Sequence, residues 1–311
     1  VIRRSAFWAV AAGLAALASS CGGGAGVGVA SHLIAFSSDR ALPPRSEAED
    51  FDTRRLDLYL MDVDGSHLER LTRNALTDVF PAVSRDGRRV AFTRDIHGYA
   101  QVFVLDLRDR KVRMLTHAHA NSGLPAWSPD GRLIAFATDR DAPGGDVIYV
   151  MNADGSGQRA VTHNLPRAND AWPSWSRDGK RLVFARETGA GSAIYTVGVR
   201  GDDLRRLTRD TSALDTQPAW SPDGKEIAFE SDVFMLPGQI YAMRPDGTKR
   251  HQLTDTTRGA SSRPSWSSDG RLIVFMASRD HHTNLWVMNA DGSHQVQLTR
   301  NHGFAGFPGA A

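Results

Sequence analysis

Residues 124–136 read Leu-Pro-Ala-Trp-Ser-Pro-Asp-Gly-Arg-Leu-Ile-Ala-Phe, two largely apolar runs on either side of a polar kink. The first run is one short strand, opened by Pro125, whose missing N–H is harmless at a first position. Pro129, Asp130 and Gly131 then supply a tight reversal. Proline pre-sets φ, aspartate bonds its own local backbone, and glycine accepts the positive φ that a Cβ resists. Residues 133–137 form the returning strand, so the pattern predicts a β-hairpin.

The same pattern begins again at Pro81, Pro173, Pro218 and Pro264, and the turn glycines Gly87, Gly131, Gly179, Gly224 and Gly270 are 44, 48, 45 and 46 residues apart. A second mark keeps this interval: Leu71-Thr72, Leu115-Thr116, Val161-Thr162, Leu207-Thr208, Leu253-Thr254 and Leu298-Thr299. Six marks make six units, and a period of this length belongs to repeat architectures. Between hairpin and mark lies a third apolar run, at 58–61, 102–105, 148–151, 194–197, 240–243 and 285–288. These runs are apolar on both faces. A lone sheet would expose one such face, whereas blades stacked around an axis bury both. Each unit is therefore expected to hold four strands, and no amphipathic helical stretch interrupts them.

The ends of the chain carry complementary fragments. Residues 32–37 match the second strand of a unit with no hairpin before them, while Phe307-Pro308 stands where a first strand belongs, nine residues past Thr299. The C-terminal segment is expected to pair beside residues 33–37 and close the array, since an open array leaves sheet edges exposed.

Composition changes the picture in two places. The 41% hydrophobic and 23% charged content is that of a globular chain, so disorder is not the default. The net charge of +2 comes from Arg3 and Arg4, in a 1–20 segment with no acid, leaving 35 basic against 35 acidic residues in the body. No basic stripe remains, which excludes nucleic acid as a partner class. Arg3-Arg4, the apolar residues 6–18 and small residues after them predict an export signal over 1–20. Cys21 is the only cysteine and cannot form an intramolecular disulfide. Leu17-Ala18-Ser19-Ser20-Cys21 resembles the lipobox of bacterial lipoproteins, which implies lipidation at Cys21. Residues 21–31, with their glycine run, then read as a tether, and 32–311 as the repeat domain.

Asp62-x-Asp64-Gly65-Ser66, with its counterparts at Asn152, Arg244 and Asn289, reads as the turn between third and fourth strands. A calcium loop needs further ligands and flanking helices, so no metal is assigned there.

With Pro-x-Trp-Ser-Pro-Asp-Gly, Ile-Ala-Phe and Asn-Ala-Asp-Gly-Ser…Leu-Thr in place, the chain resembles the TolB-type propeller family built from PD40, or WD40-like, repeats, over nearly all of 33–311. The resemblance implies an all-β, six-bladed β-propeller of four-stranded blades, its ends joined in one blade. TolB carries an amino-terminal α/β domain ahead of its propeller, and here only the tether precedes Leu33.

If the inner strand of each blade carries Pro-x-Trp-Ser, the loops before each proline and those between second and third strands share one face and ring the channel mouth. That face holds the diverse side chains, and the opposite face the repeated Asp-Gly turns. Candidate partner-binding residues are Asp78, Phe80, His119, Asp170, Trp172, Asp215, Gln217, Arg263 and Phe307, joined by Phe234 and Met235 in an apolar loop insertion. A second insertion, 38–56, carries Glu47, Glu49, Asp50 and Asp52. For Asp170, Asp215, Arg140 and Arg279 two roles stay open, ligand contact and ion pairs holding blade to blade. Trp127, Trp175, Trp220 and Trp266 recur in register and read as packing. Trp172 falls outside the repeat and reads as a partner contact.

Three function classes can be weighed. A hydrolase of the prolyl-oligopeptidase kind needs a separate α/β domain with a Gly-x-Ser-x-Gly elbow, which is missing. A metal-dependent oligogalacturonate-type lyase would draw on His117, His119, His163, His281 and His282, yet these have no short metal-ligand spacing. A binding scaffold needs nothing the sequence lacks. The expectation is an exported, lipid-anchored, monomeric envelope protein that binds a protein or peptide and catalyses nothing, with no cofactor.

Overall fold

Six four-stranded antiparallel sheets, each running in chain order from the first strand to the fourth, form the blades of a β-propeller. The structure is a computed structural model and describes residues 16–19, 32–38, 56–141, 145–163, 168–210, 213–233, 236–279 and 282–300. Blade 1 comprises Ala16–Ser19, His32–Ser38, Asp57–Asp62 and Glu69–Arg70, and blade 2 comprises Asp78–Val83, Arg89–Ile96, Tyr99–Asp106 and Val112–Met114. The inner strands of blades 3 to 6 are Ser122–Trp127, Asn169–Trp175, Ala213–Trp220 and Ala260–Trp266. Outer strands are only two or three residues long, which keeps the exposed sheet edges short. Among the described residues the only helical turn is a 3-10 turn at Thr256–Arg258.

The repeated residues each have a local job. In the inner turn of blade 3 the Ser128 hydroxyl donates to Asp130 Oδ1 (2.6 Å) and accepts the Leu133 N–H (2.9 Å), while Gly131 sits at φ 66°. Ser84, Ser176, Ser221 and Ser267 make the same pair of bonds in their own blades. The threonine of each Leu-Thr mark closes the far side. Thr72, Thr116, Thr162, Thr208, Thr254 and Thr299 each offer Oγ1 to a third-strand N–H, of Leu58, Val102, Ile148, Ile194, Ile240 and Leu285, at 2.9 to 3.0 Å. Phe36, Phe92, Phe136, Phe184, Phe229 and Phe275, one per blade, are fully buried. The first five pack on the third-strand rings Tyr59, Phe103, Tyr149, Tyr195 and Tyr241, with centroids 5.6 to 6.1 Å apart.

Neighbouring blades are also tied around the channel. The indole N–H of Trp127 donates to Ala82 O, that of Trp175 to Ala126 O, and that of Trp266 to Ala219 O, at 3.0 to 3.1 Å. Trp220 departs from this: its indole N–H donates to Gly224 O in its own blade, and its backbone N–H donates to Ser174 Oγ of blade 4 (3.0 Å). The recurring tryptophans are thus inter-blade ties as well as packing.

Two expectations change. Proline does not open the inner strand; the strand begins three to five residues earlier, and the ladder to the second strand shifts register across each proline. A residue without an N–H fits a bulge, where one ladder partner is lost in any case. At the closure, the place beside His32–Ser38 is held by Ala16–Ser19, with Ala16 opposite Ala35 and Ser19 opposite His32. The C-terminal residues 301–311 lie outside the described residues. Ala16–Ser19 belongs to the segment read as an export signal, so cleavage ahead of Cys21 would remove this strand and leave the place beside His32–Ser38 open to another one.

Candidate binding site at the channel mouth

The bulges build the site. In each of blades 2 to 6 the residue before the inner-strand proline takes a left-handed backbone: Phe80 (φ 54°), Leu124 (54°), Trp172 (59°), Gln217 (52°) and Arg263 (55°). Non-glycine residues adopt this region at a cost of about 1 kcal/mol or more. Five in register therefore mark a conformation that the ring of blades imposes. The five side chains surround a cavity of ≈ 230 Å³ at one end of the channel, with the five prolines below them.

Three of the five meet across blades. The Phe80 and Trp172 rings are edge to face, centroids 5.3 Å apart at 83°. The Arg263 guanidinium lies 4.9 Å from the Trp172 centroid and 5.6 Å from that of Phe80. All three are buried, so they narrow the channel from blades 2, 4 and 6. Leu124 and Gln217 fill the places between. Gln217 remains partly accessible, while its Oε1 is buried without a hydrogen-bond partner among the described residues.

Arg263 has a charged neighbour. Glu230, on the second strand of blade 5, stands where Ser37, Thr93, Ala137, Ala185 and Met276 stand in the other blades. In blade 2 that position touches the next blade, since Thr93 Oγ1 accepts the Leu124 N–H (3.1 Å). Burial pushes the Glu230 carboxyl up to about 7, against the pull of Arg263. Burial likewise lowers Arg263 to about 10, with Glu230 opposing. Glu230 Oε2 has no hydrogen-bond partner among the described residues. Gly238 makes room for this carboxylate, since a Cβ there would lie 2.9 Å from Oε1.

The predicted acids behave differently from the ring. Asp78, Asp170 and Asp215 are fully buried beneath the rim. Asp78 takes two bonds from Arg94 (2.5 and 2.8 Å), Asp170 two from Arg186 (2.6 and 2.7 Å), and Asp215 a longer one from Arg250 (3.5 Å). Each pair lies within one blade, so the blade-to-blade tie left open for Asp170 and Asp215 is corrected to a tie within a blade, and the carboxylates are committed inside the fold. Arg140 and Arg279 reach Ser122 and Ser261, the serines at the same inner-strand position, at 3.3 and 3.1 Å. Each guanidinium also stands over an aromatic ring of its own blade: Arg94 over Phe103 (5.0 Å), Arg140 over Tyr149 (5.0 Å), Arg186 over Tyr195 (5.2 Å), Arg250 over Tyr241 (4.7 Å) and Arg279 over Trp286 (5.6 Å).

His119 is exposed and set edge-on to Tyr99, with centroids 5.9 Å apart. Phe234, Met235, Phe307 and Cys21 lie outside the described residues. Among the described residues, no three His, Cys, Asp or Glu side chains converge where they could hold a metal ion, and no helix is long and apolar enough to cross a membrane. Sequence reasoning set Trp172 apart from the repeat, whereas it is the blade-4 member of the ring. It missed Leu124 and Glu230. The signal for Leu124 was its place before Pro125, and for Glu230 a lone acid in a column of small or apolar residues.

The family model for the TolB β-propeller domain, PD40, matches residues 50–172 and 156–303. The chain belongs to the TolB β-propeller family. This TolB-type propeller is similar in fold to a TolB structure from Agrobacterium tumefaciens, with 23% identity, a TM-score of 0.67, and coverage of 80% of this chain and 91% of that one. It is also similar to TolB from Acinetobacter baumannii, at 20% identity and a TM-score of 0.70, where the match spans 94% of this chain and 65% of the other. An oligogalacturonate lyase from Vibrio parahaemolyticus shares the fold at 14% identity and a TM-score of 0.56, over 86% and 74% of the two chains. No curated protein matches the sequence.

Proposed function

We propose that the chain is a non-catalytic binding scaffold of the bacterial envelope, engaging a protein or peptide partner at the channel mouth formed by Phe80, Leu124, Trp172, Gln217 and Arg263. The observation that carries this reading is the cavity itself, ringed by side chains that five left-handed residues hold in place. Aromatic and arginine side chains in a desolvated centre are the usual anchors of protein interfaces, and binding residues are commonly set on a rigid scaffold. Membership of the TolB propeller family supports a binding rather than a catalytic role. We assign the anchor to Cys21, through which a monomeric propeller is held at the membrane on the non-cytoplasmic side.

The test immobilises the chain and exposes it to envelope extract of the source organism. Gln217→Arg, which adds bulk and charge at the partly accessible ring position, should reduce recovery of the partner while leaving the melting temperature within a few degrees. Undiminished recovery would move the site elsewhere. Manganese-dependent release of unsaturated products from oligogalacturonate would replace this reading with the lyase one.

A further inference from the structure

The opposite end of the channel has a chemistry of its own. Its chamber, ≈ 210 Å³, shares Val83, Ala126 and Trp127 with the upper cavity and is walled by Trp127, Trp175, Trp220 and Trp266. Every indole N–H of these four is spent on a carbonyl, so the walls offer ring surface, interrupted by serine hydroxyls such as those of Ser174 and Ser265. At the rim stand the second residues of the five turns, and two of them, Arg85 and Arg177, are exposed cations that make no hydrogen bond or ion pair among the described residues. No Asp or Glu lines the chamber.

Around this mouth the turns 84–88, 128–132, 176–180, 221–225 and 267–271 carry seven basic residues against five aspartates. That is a surplus of two, equal to the surplus of the entire chain. The aspartates are turned inward upon the turns. Each accepts a serine hydroxyl and the N–H of the basic residue after the glycine, which holds Asp130 and Asp178, for example, below the usual carboxylate range, the serine bond being the larger cause. The cations of Arg85 and Arg177 are left at the rim of a shaft walled in good part by indole rings, and low-dielectric walls concentrate such a field.

We infer that this mouth is a second interaction site, which receives the carboxylate of an acidic peptide segment from a partner. The chamber is smaller than the cavities that enclose whole metabolites, which run from about 300 Å³ upward. It fits one side chain or chain end, whose apolar stem would lie against the indoles and whose carboxylate would meet Arg85 or Arg177 in the geometry that guanidinium favours. A free phosphate gains less here, because the turn N–H groups of glycine and of the residue after it are already bonded, as for Gly87 and Arg88. The site lies on the face away from the Phe80 ring, so either can fail without the other.

The experiment titrates a hexaglutamate peptide, fluorescein-labelled at its amino terminus, into the full chain and follows anisotropy. Saturable binding is expected, weakening with salt and about tenfold or more in Arg85→Glu/Arg177→Glu. Both sites are exposed, and thermal melting checks that the double variant folds; Arg85→Gln/Arg177→Gln should weaken binding less. Arg258→Glu on the other face is expected to bind as the parent does. No binding, or equal loss in Arg258→Glu, overturns the proposal. Displacement by inorganic phosphate at the peptide's own concentration makes this a small-anion site instead. Capture by phosphatidylglycerol vesicles with no peptide binding makes it a membrane contact, and either result contradicts the inference.

Discussion

The Arg263 guanidinium of blade 6 stands 4.9 Å from the Trp172 ring of blade 4, across the channel. Both residues precede a proline and both have a left-handed backbone. The contact therefore follows from the same bulge repeated two blades apart, and it brings a cation into a buried aromatic setting where such attraction is strongest. Glu230 supplies the opposing charge.

Removing one partner of that charge pair should cost more than removing both. Arg263→Ala leaves the Glu230 carboxyl buried with no cation beside it, and stability at pH 8 should fall by about 3 kcal/mol. Glu230→Gln in the same background should recover a substantial part of the loss in urea unfolding. A double variant as unstable as the single one would show that Glu230 and Arg263 are not coupled.

The pH dependence follows from Glu230 by itself. Its carboxyl is raised from 4.5 to about 7 in the fold, so the folded state holds the proton more tightly than the unfolded chain. Below 4.5 both states are protonated and there is no penalty; between 4.5 and 7 the unfolded chain ionises first, and stability falls as pH rises. Above 7 the full cost, on the order of 3 kcal/mol, is present. Glu230→Gln should flatten this slope, which urea midpoints at pH 4.5, 6 and 8 would read.

Gln217 tests the ring's backbone. At φ 52° glycine is at ease and a β-branched residue is not. Gln217→Gly is expected to keep or raise the melting temperature, and Gln217→Val to lower stability by about 1–2 kcal/mol.

Thr116 tests the closing bond of the blade. Thr116→Val removes the acceptor for the buried Val102 N–H and should cost about 1–3 kcal/mol, whereas Thr116→Ser, which keeps Oγ, should cost less. Equal losses would assign the effect to packing of the methyl group.

Much of this was legible in the sequence, because the hairpin, the buried phenylalanine and the threonine mark are each set by a few consecutive residues. The threonines were visible as a beat before their bond to the third strand was known. What escaped depends on the closed ring. No local rule puts Phe80, Trp172 and Arg263 in contact, and a bulge at proline looks, in one dimension, like the start of a strand. The guanidinium over the aromatic pair was hidden for another reason. Arg94 and Arg186 reach that place from the second strand, Arg140 and Arg279 from two residues further on, and Arg250 from the turn before the outer strand, so no column of the repeat contains it.

Anchoring at Cys21 predicts that Cys21→Ser releases the protein from membranes into the soluble envelope fraction. One acyl chain binds a bilayer only marginally, so the parent should carry more than one, readable by mass spectrometry of the amino-terminal peptide. A variant that fractionates with membranes as the parent does would remove the anchor from the account.

The central claim, that a partner docks on the ring before the prolines, is tested most directly by photo-crosslinking in living cells. A benzoylphenylalanine placed at Gln217 should give a discrete protein adduct, lost when excess soluble propeller competes, while one at Arg113 on the outer edge of blade 2 should give none. Adducts of equal yield from both positions, or none from Gln217, would contradict it.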